Sequence, residues 1–159
     1  MLTVTFYCRP DFAPQQNKLK KLAKTICRRF GLADAKISIA VVDNRQIRKL
    51  NGKFLRRKNV TDCIAFDLSD LGAGRKFFEL VVNGQRAETE AGKRGHSAAA
   101  ELALYITHGL LHVIGFNDLL PVQAKKMHRL EDEILQQQGF GPVYSSKNNV
   151  VSEKRRKKC

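Results

Sequence analysis

No stretch of this 159-residue chain is apolar for long enough to cross a membrane. The opening residues, MLTVTFYCRPDF, have neither the basic start nor the apolar run of a secretory signal, so a cytoplasmic chain is expected. Acidic residues are scarce, 15 against 29 lysines and arginines, and the formal net charge is +14. That balance points to a polyanionic partner, and nucleic acid is the natural one for a basic domain. No basic amphipathic helix with bulky apolar anchors stands out, which ranks an anionic lipid surface lower. Cysteine is sparse: Cys8, Cys27, Cys63 and Cys159, with no C-x-x-C pair among them. They read as reduced thiols, the first three as packing residues. There is no internal repeat, and the length fits one domain.

What is present is concentrated in ELALYITHGLLHVIGFND, Glu101 to Asp118. His108 and His112 stand four apart, so on a helix both imidazoles project from one face and reach a single metal ion. Leu102, Leu104, Ile106, Leu110, Leu111, Val113 and Ile114 make this helix apolar nearly all round, which predicts burial. Two buried imidazoles are costly unless each finds a partner. Either alone reads as an ordinary core histidine; the pair, followed by a break at Gly115 and the acid Asp118, reads as a metal site. A turn at Gly115 would fold Asp118 under the histidines and complete three ligands with an open position, the usual form of a catalytic zinc site. The residue after His108 is Gly109, where H-E-x-x-H zinc proteases carry their glutamate base, which argues against peptide hydrolysis.

Along the chain, Leu2, Val4 and Phe6 alternate with Thr3, Thr5 and Tyr7 as a first strand, and the proline-bearing stretch from Arg9 to Gln16 reads as a loop. Helical spacing over Gln16–Phe30 predicts an amphipathic helix with a basic outer face, ended by Gly31. KISIAVV, residues 36–42, is a second strand, followed by a short helix capped by Asp43 or Asn44 and ended by Asn51-Gly52. GKFLRRKNVTD is then expected as a basic surface loop, with Lys53, Arg56, Arg57 and Lys58 beside Phe54, suited to a single-stranded backbone and its bases. DCIAFD and KFFELVV are further strands. A polar helix over residues 85–94 precedes Ser97, a good N-cap for the long apolar helix, in whose first turns Glu101 suits the dipole. Pro121 opens the last helix, with Val122, Met127, Leu130, Ile134 and Leu135 facing the core and Gly139 stopping it; His128 reads as a surface residue, with a place as fourth neighbour of the metal as the alternative. The expectation is an α+β fold: one small domain, residues 1–141, with a roughly four-stranded sheet, about five helices and the metal site on a central buried helix. Residues 142–159 read as a basic, disordered tail. From Lys147 onward it carries six positive charges against Glu153, leaving about +9 on the folded part.

HGLLHVIGFND, His108 to Asp118, resembles the HGxLHLxGYDH signature of the YbeY endoribonucleases, also called rRNA maturation factors. The similarity extends to LNGKFLRRKNVTDCIAF, to KRGHSAAAEL and to the methionine-bearing last helix, most of residues 36–140. It implies a small zinc protein that cleaves single-stranded RNA, acts in 3′-end maturation of small-subunit (16S) ribosomal RNA and in ribosome quality control, with small-subunit ribosomal proteins as candidate partners. Carried over, the ligands are His108, His112 and Asp118, the last standing where the family has histidine. Zinc accepts carboxylate oxygen, but the shorter side chain must come closer and its charge makes a bound water less acidic. The arginine that many members carry after the aromatic of the LN block falls on Leu55, with Arg56 and Arg57 as neighbours able to replace it. The family's Gly-Asp-Ile strand stands here as Phe78-Glu79-Leu80.

The implied chemistry is phosphodiester hydrolysis by metal-activated water, with Arg56 and Arg57, or Lys58, offsetting phosphate charge. Gly109 leaves the general base open among solvent, the second oxygen of Asp118 and the substrate. Rival readings are an RNA-binding assembly factor with a structural zinc, a metalloprotease, and an iron oxygenase with two histidines and one carboxylate.

Overall fold

Alternation in the strands and helical spacing between them sort the apolar side chains onto the two faces of one sheet. In a computed structural model, which describes residues 1–57, 59–69 and 75–144, the elements are β1 (Thr3–Tyr7), α1 (Gln16–Arg29), β2 (Ala35–Val42), α2 (Asn44–Leu55), β3 (Cys63–Asp67), β4 (Lys76–Asn83), α3 (Gly84–Arg94), α4 (Ala98–Ile114) and α5 (Pro121–Gln137). The strand order is β1-β2-β4-β3; β1, β2 and β4 run parallel and β3 lies antiparallel on the edge beside β4. The α+β expectation of four strands and five helices matches this architecture.

Period-2 geometry then decides which residues meet α4. Ile37 and Ile39 of β2 and Phe78, Leu80 and Val82 of β4 join the main core with Leu19, Leu22 and Ile26 of α1 and with α4. Their neighbours point the other way: Ile64 and Val81 form a smaller cluster with Ile47 of α2, flanked by Phe66. From Ala100 to Leu111 every residue of α4 except His108 is buried. A helix so apolar has no outer face to spare, and it lies against the sheet beneath the flanking helices.

Several local expectations change. The segment Pro10–Gln15 is a 3-10 turn rather than an irregular loop, with Phe12 buried. α2 does not stop at Asn51-Gly52 but runs on to Leu55, closed by Arg56 in the left-handed conformation at φ 51°. The reason lies in Asn51, which is buried and donates from its side-chain amide to the Asn59 carbonyl at 2.8 Å. Read as a helix stop, it ties the following loop back instead. Lys53 and Phe54 are thus helical, and Phe54 packs edge-on against Phe66 with centroids 5.6 Å apart, on the sheet face away from α4. Lys58 lies outside the described residues. On α5, Val122 is 80% exposed rather than facing the core, because it precedes the stripe formed by Met127, Glu131, Ile134 and Leu135. Packed chain also continues past residue 141: Val143 is buried, and the Tyr144 backbone N–H donates to Asp132 Oδ1 at 2.8 Å. Residues 145–159, with Cys159 and the tail charges, lie outside the described part.

Candidate metal centre

Ser97 starts α4 by accepting from the Ala100 N–H at 3.1 Å, and Gly115, at φ 120°, ends it. That φ is open to glycine and strained for other residues. The turn returns the Phe116 N–H to the Leu111 carbonyl at 3.0 Å and swings the chain back toward the last turn of the helix. Asp118 is thereby carried to the two histidines. Nε2 of His108 and Nε2 of His112 are 3.0 Å apart, and the Asp118 carboxylate places Oδ2 3.8 Å from the first and Oδ1 3.8 Å from the second. One ligand atom from each of the three lies within 4.8 Å of the others. The geometry expected from the spacing and the glycine break is present.

The hydrogen-bond partners on the far side of each ring decide what these atoms can do. His112 Nδ1 meets the Phe116 carbonyl at 3.1 Å, an acceptor only, so it carries the proton. His108 Nδ1 meets Glu131 Oε1 at 2.6 Å and donates to it. In the neutral rings both Nε2 atoms are then lone pairs, facing one another beside a carboxylate. Such a donor set is repulsive by itself and is satisfied by a cation placed among the three, and two imidazoles with one carboxylate suit a divalent ion of the zinc type. The His108 ring is partly buried, which alone would lower its pKa; the hydrogen bond and charge of Glu131, then the charge of Asp118, outweigh burial and raise it. The three side chains are 30%, 35% and 38% exposed, so the centre opens to solvent.

Glu131 is the residue of this cluster that the sequence reading missed. It is fully buried, and its second oxygen accepts from His128 Nδ1 at 3.0 Å. A signal existed: Glu131 occupies an apolar-stripe position of α5, four after Met127 and three before Ile134, where an acid must have partners. His128, expected at the surface, belongs to the same network. It stacks on the Tyr144 ring at 3.7 Å and lies nearly parallel to His108, centroids 6.4 Å apart.

A cavity of about 90 Å³ adjoins His108, lined also by Asp62, Tyr105, His128, Glu131 and Tyr144. Asp62 is held at its rim by Arg86, Nε to Oδ1 2.7 Å, while Arg86 also donates to the Val60 carbonyl at 3.2 Å. Glu101, beyond its expected role near the helix dipole, is fully buried and accepts from Arg94 at 2.6 Å, with His96 Nε2 at 2.7 Å. That ties the loop before α4 to its first turn. Arg56 and Arg57 are exposed and do not line this cavity.

Gly109 explains the absent glutamate. A Cβ at this position would lie 2.7 Å from Cys63 Sγ and 3.1 Å from Leu80 Cδ2. The position after His108 faces β3 and β4, with no room for a side chain and no path to the cluster of His108, His112 and Asp118.

The family model described as Endoribonuclease YbeY matches residues 10–139. The chain is 32% identical over 132 residues to Endoribonuclease YbeY of Anaeromyxobacter dehalogenans, covering 82% of this chain and 68% of the relative. It is 34% identical over 124 residues to the protein of the same name from a second Anaeromyxobacter, covering 77% and 65%. The chain thus spans about two thirds of the length of these relatives. In fold it resembles a Thermotoga maritima protein solved in solution, with a TM-score of 0.56, 22% identity, and coverage of 86% of this chain and 91% of the other.

Proposed function

This chain belongs to the Endoribonuclease YbeY family, and on that premise we propose that it is a zinc-dependent, single-strand-specific endoribonuclease. Its place is in the cytoplasm, in 3′-end maturation of small-subunit (16S) ribosomal RNA and in ribosome quality control, with small-subunit ribosomal proteins as candidate partners. The net charge of +14 supports a polyanionic substrate. Among the described residues no helix is long and apolar enough to cross a membrane.

The observation that carries the reading is the convergence of His108, His112 and Asp118 with both Nδ1 atoms already engaged. These three would hold the ion. A bound zinc supplies Lewis acidity and brings the pKa of a water down to about 7. The protein's own part is orientation and proton handling. Glu131 keeps the proton on His108 Nδ1, and the Phe116 carbonyl keeps it on His112 Nδ1, so both Nε2 lone pairs stay aimed at one point. Asp118 needs one oxygen to ligate; its second is free to accept a proton from the attacking water, a role for which position 109 has no space. Arg56 and Arg57, exposed at the end of α2, remain proposed phosphate contacts.

Three ligands and an open face favour a catalytic ion over a structural one, which is usually enclosed by four. The test is cleavage of a single-stranded oligoribonucleotide and of its duplex by wild type, by chelated protein with and without added zinc, and by His112→Ala, with circular dichroism on each. Cutting of the single strand alone, lost on chelation, restored by zinc and lost in a folded His112→Ala, is expected. Unfolding on chelation would mark the ion as structural; undiminished cutting by the variant would remove the centre from the reaction.

A further inference from the structure

A second, wider hollow runs along α5, about 490 Å³ and open to solvent, lined by Ala124, Lys125, His128, Arg129, Asp132 and Tyr144. It shares His128 and Tyr144 with the cavity at His108, so the two adjoin. Lys125 and Arg129 stand four apart on the helix and are exposed, which sets their cationic ends one above the other on one face. The acid of the hollow is already employed, since Asp132 Oδ1 accepts from the Tyr144 backbone N–H at 2.8 Å. It fixes the segment that carries the Tyr144 ring. That ring lies 3.7 Å from His128 and within 7° of parallel, and His128 lies within 11° of parallel to His108. A row of three near-parallel rings therefore leads from the metal centre out to the hollow, flanked by two cations.

We infer that this hollow is a nucleotide subsite for the single strand leaving the metal centre: a base extends the His128–Tyr144 stack, and Lys125 and Arg129 hold the phosphates beside it. The inference rests on the reading of the chain as one that acts on RNA. Aromatic faces beside a basic track are the sequence-tolerant way to hold an unpaired strand, because every base offers a π-face and every nucleotide a phosphate. A duplex keeps its bases stacked on each other and cannot supply one to the row. An acidic peptide would use the cations and leave the rings without a partner.

The test is binding of a fluorescent single-stranded oligoribonucleotide to the full chain with metal chelated, as a function of salt. Lys125→Gln with Arg129→Gln is expected to weaken binding about tenfold at moderate salt and to flatten the plot of log K against log salt by about 1.4, two single-strand phosphate contacts. Lys21→Gln with Arg28→Gln on α1, the same change in net charge, is expected to cost less than about threefold. Tyr144→Ala should weaken binding about tenfold and Tyr144→Phe hardly at all, since stacking needs the ring and not the hydroxyl. Equal losses from the two charge pairs, or wild-type binding by Tyr144→Ala, would overturn the assignment. Groove-dependent binding by the chelated chain, together with no cutting of RNA once zinc is restored, would refute the nuclease reading and leave the subsite standing. A chain that cuts RNA while the groove variants bind like wild type would do the reverse.

Discussion

Glu131 Oε1 lies 2.6 Å from His108 Nδ1, and Glu131 is fully buried. A carboxylate with no access to water, one oxygen on each of two imidazoles, fixes the ring that points the other nitrogen at the metal centre. Outer partners of this kind set tautomer and ligand basicity, and losing one costs about 10–100-fold in metal affinity. Glu131→Gln is therefore expected to weaken zinc binding by about that factor, measured by competition with a chromophoric chelator. Metal affinity unchanged in the variant would show that His108 needs no help from α5.

The same helix is limited from below by Gly109, whose missing side chain admits Cys63 Sγ and Leu80. Gly109→Ala forces a contact at 2.7 Å between packed elements. Overpacking of this kind costs about 1–3 kcal/mol, or a few °C for each kcal/mol in a domain of this size. Because Cys63 is the tightest neighbour, Cys63→Ala in the Gly109→Ala background should recover a large part of the loss. Thermal melts of the two single variants and the double close the cycle; strict additivity would place the strain elsewhere.

The fold and the convergence of His108, His112 and Asp118 were legible because they rest on local rules. Two imidazoles four apart on an apolar helix, a glycine break and an acid are readable from spacing, the first two strands from alternation and the others from short apolar runs. Glu131 was not, because its meaning depends on α5 crossing α4, a pairing that periodicity does not encode. Asn51 was misread for a related reason: its turn propensity is local, but its amide finds the Asn59 carbonyl only once the loop has folded back. His128 likewise became part of the site through Tyr144, a residue placed in the tail because the segment after Gly141 shows no apolar period.

Cys27 and Cys63 give the protein a pH signature. Burial pushes the Cys27 thiol up to about 11, and burial with the nearby Asp62 charge pushes Cys63 up to about 12, both from 9.0. A folded pKa above the unfolded one means that the contribution to stability is whole below pH 9 and declines as pH rises, until about 11 for Cys27 and about 12 for Cys63. The slope is about 1.4 kcal/mol per pH unit for each thiol while only the unfolded chain ionises. Urea midpoints of wild type and Cys63→Ala should thus converge between pH 8 and pH 10.5. At pH 8 neither native thiol should react with iodoacetamide at the rate of an unfolded one. Parallel pH curves for the two proteins would refute the assignment for Cys63.

Asp118 stands where the signature that this stretch resembles has histidine, and its geometry sets the consequence. Its oxygens lie 3.8 Å from the two Nε2 atoms, within reach of a shared ion but not of a direct hydrogen bond. Asp118→Ala leaves two neutral imidazoles and an open face, so zinc affinity should fall by about 100-fold or more, since three protein ligands become two. Asp118→His restores three ligands with one less negative charge. It should hold zinc more tightly than the alanine variant, and a water on the ion would be more acidic than in wild type, because a neutral imidazole, unlike a carboxylate, adds no negative charge to offset that of the cation. The paired measurement is zinc affinity together with the pH dependence of RNA cutting. The histidine variant is expected to reach half-maximal rate at lower pH than wild type. A shift in the opposite direction would mean that the Asp118 carboxylate governs the reaction as a proton acceptor more than as a ligand.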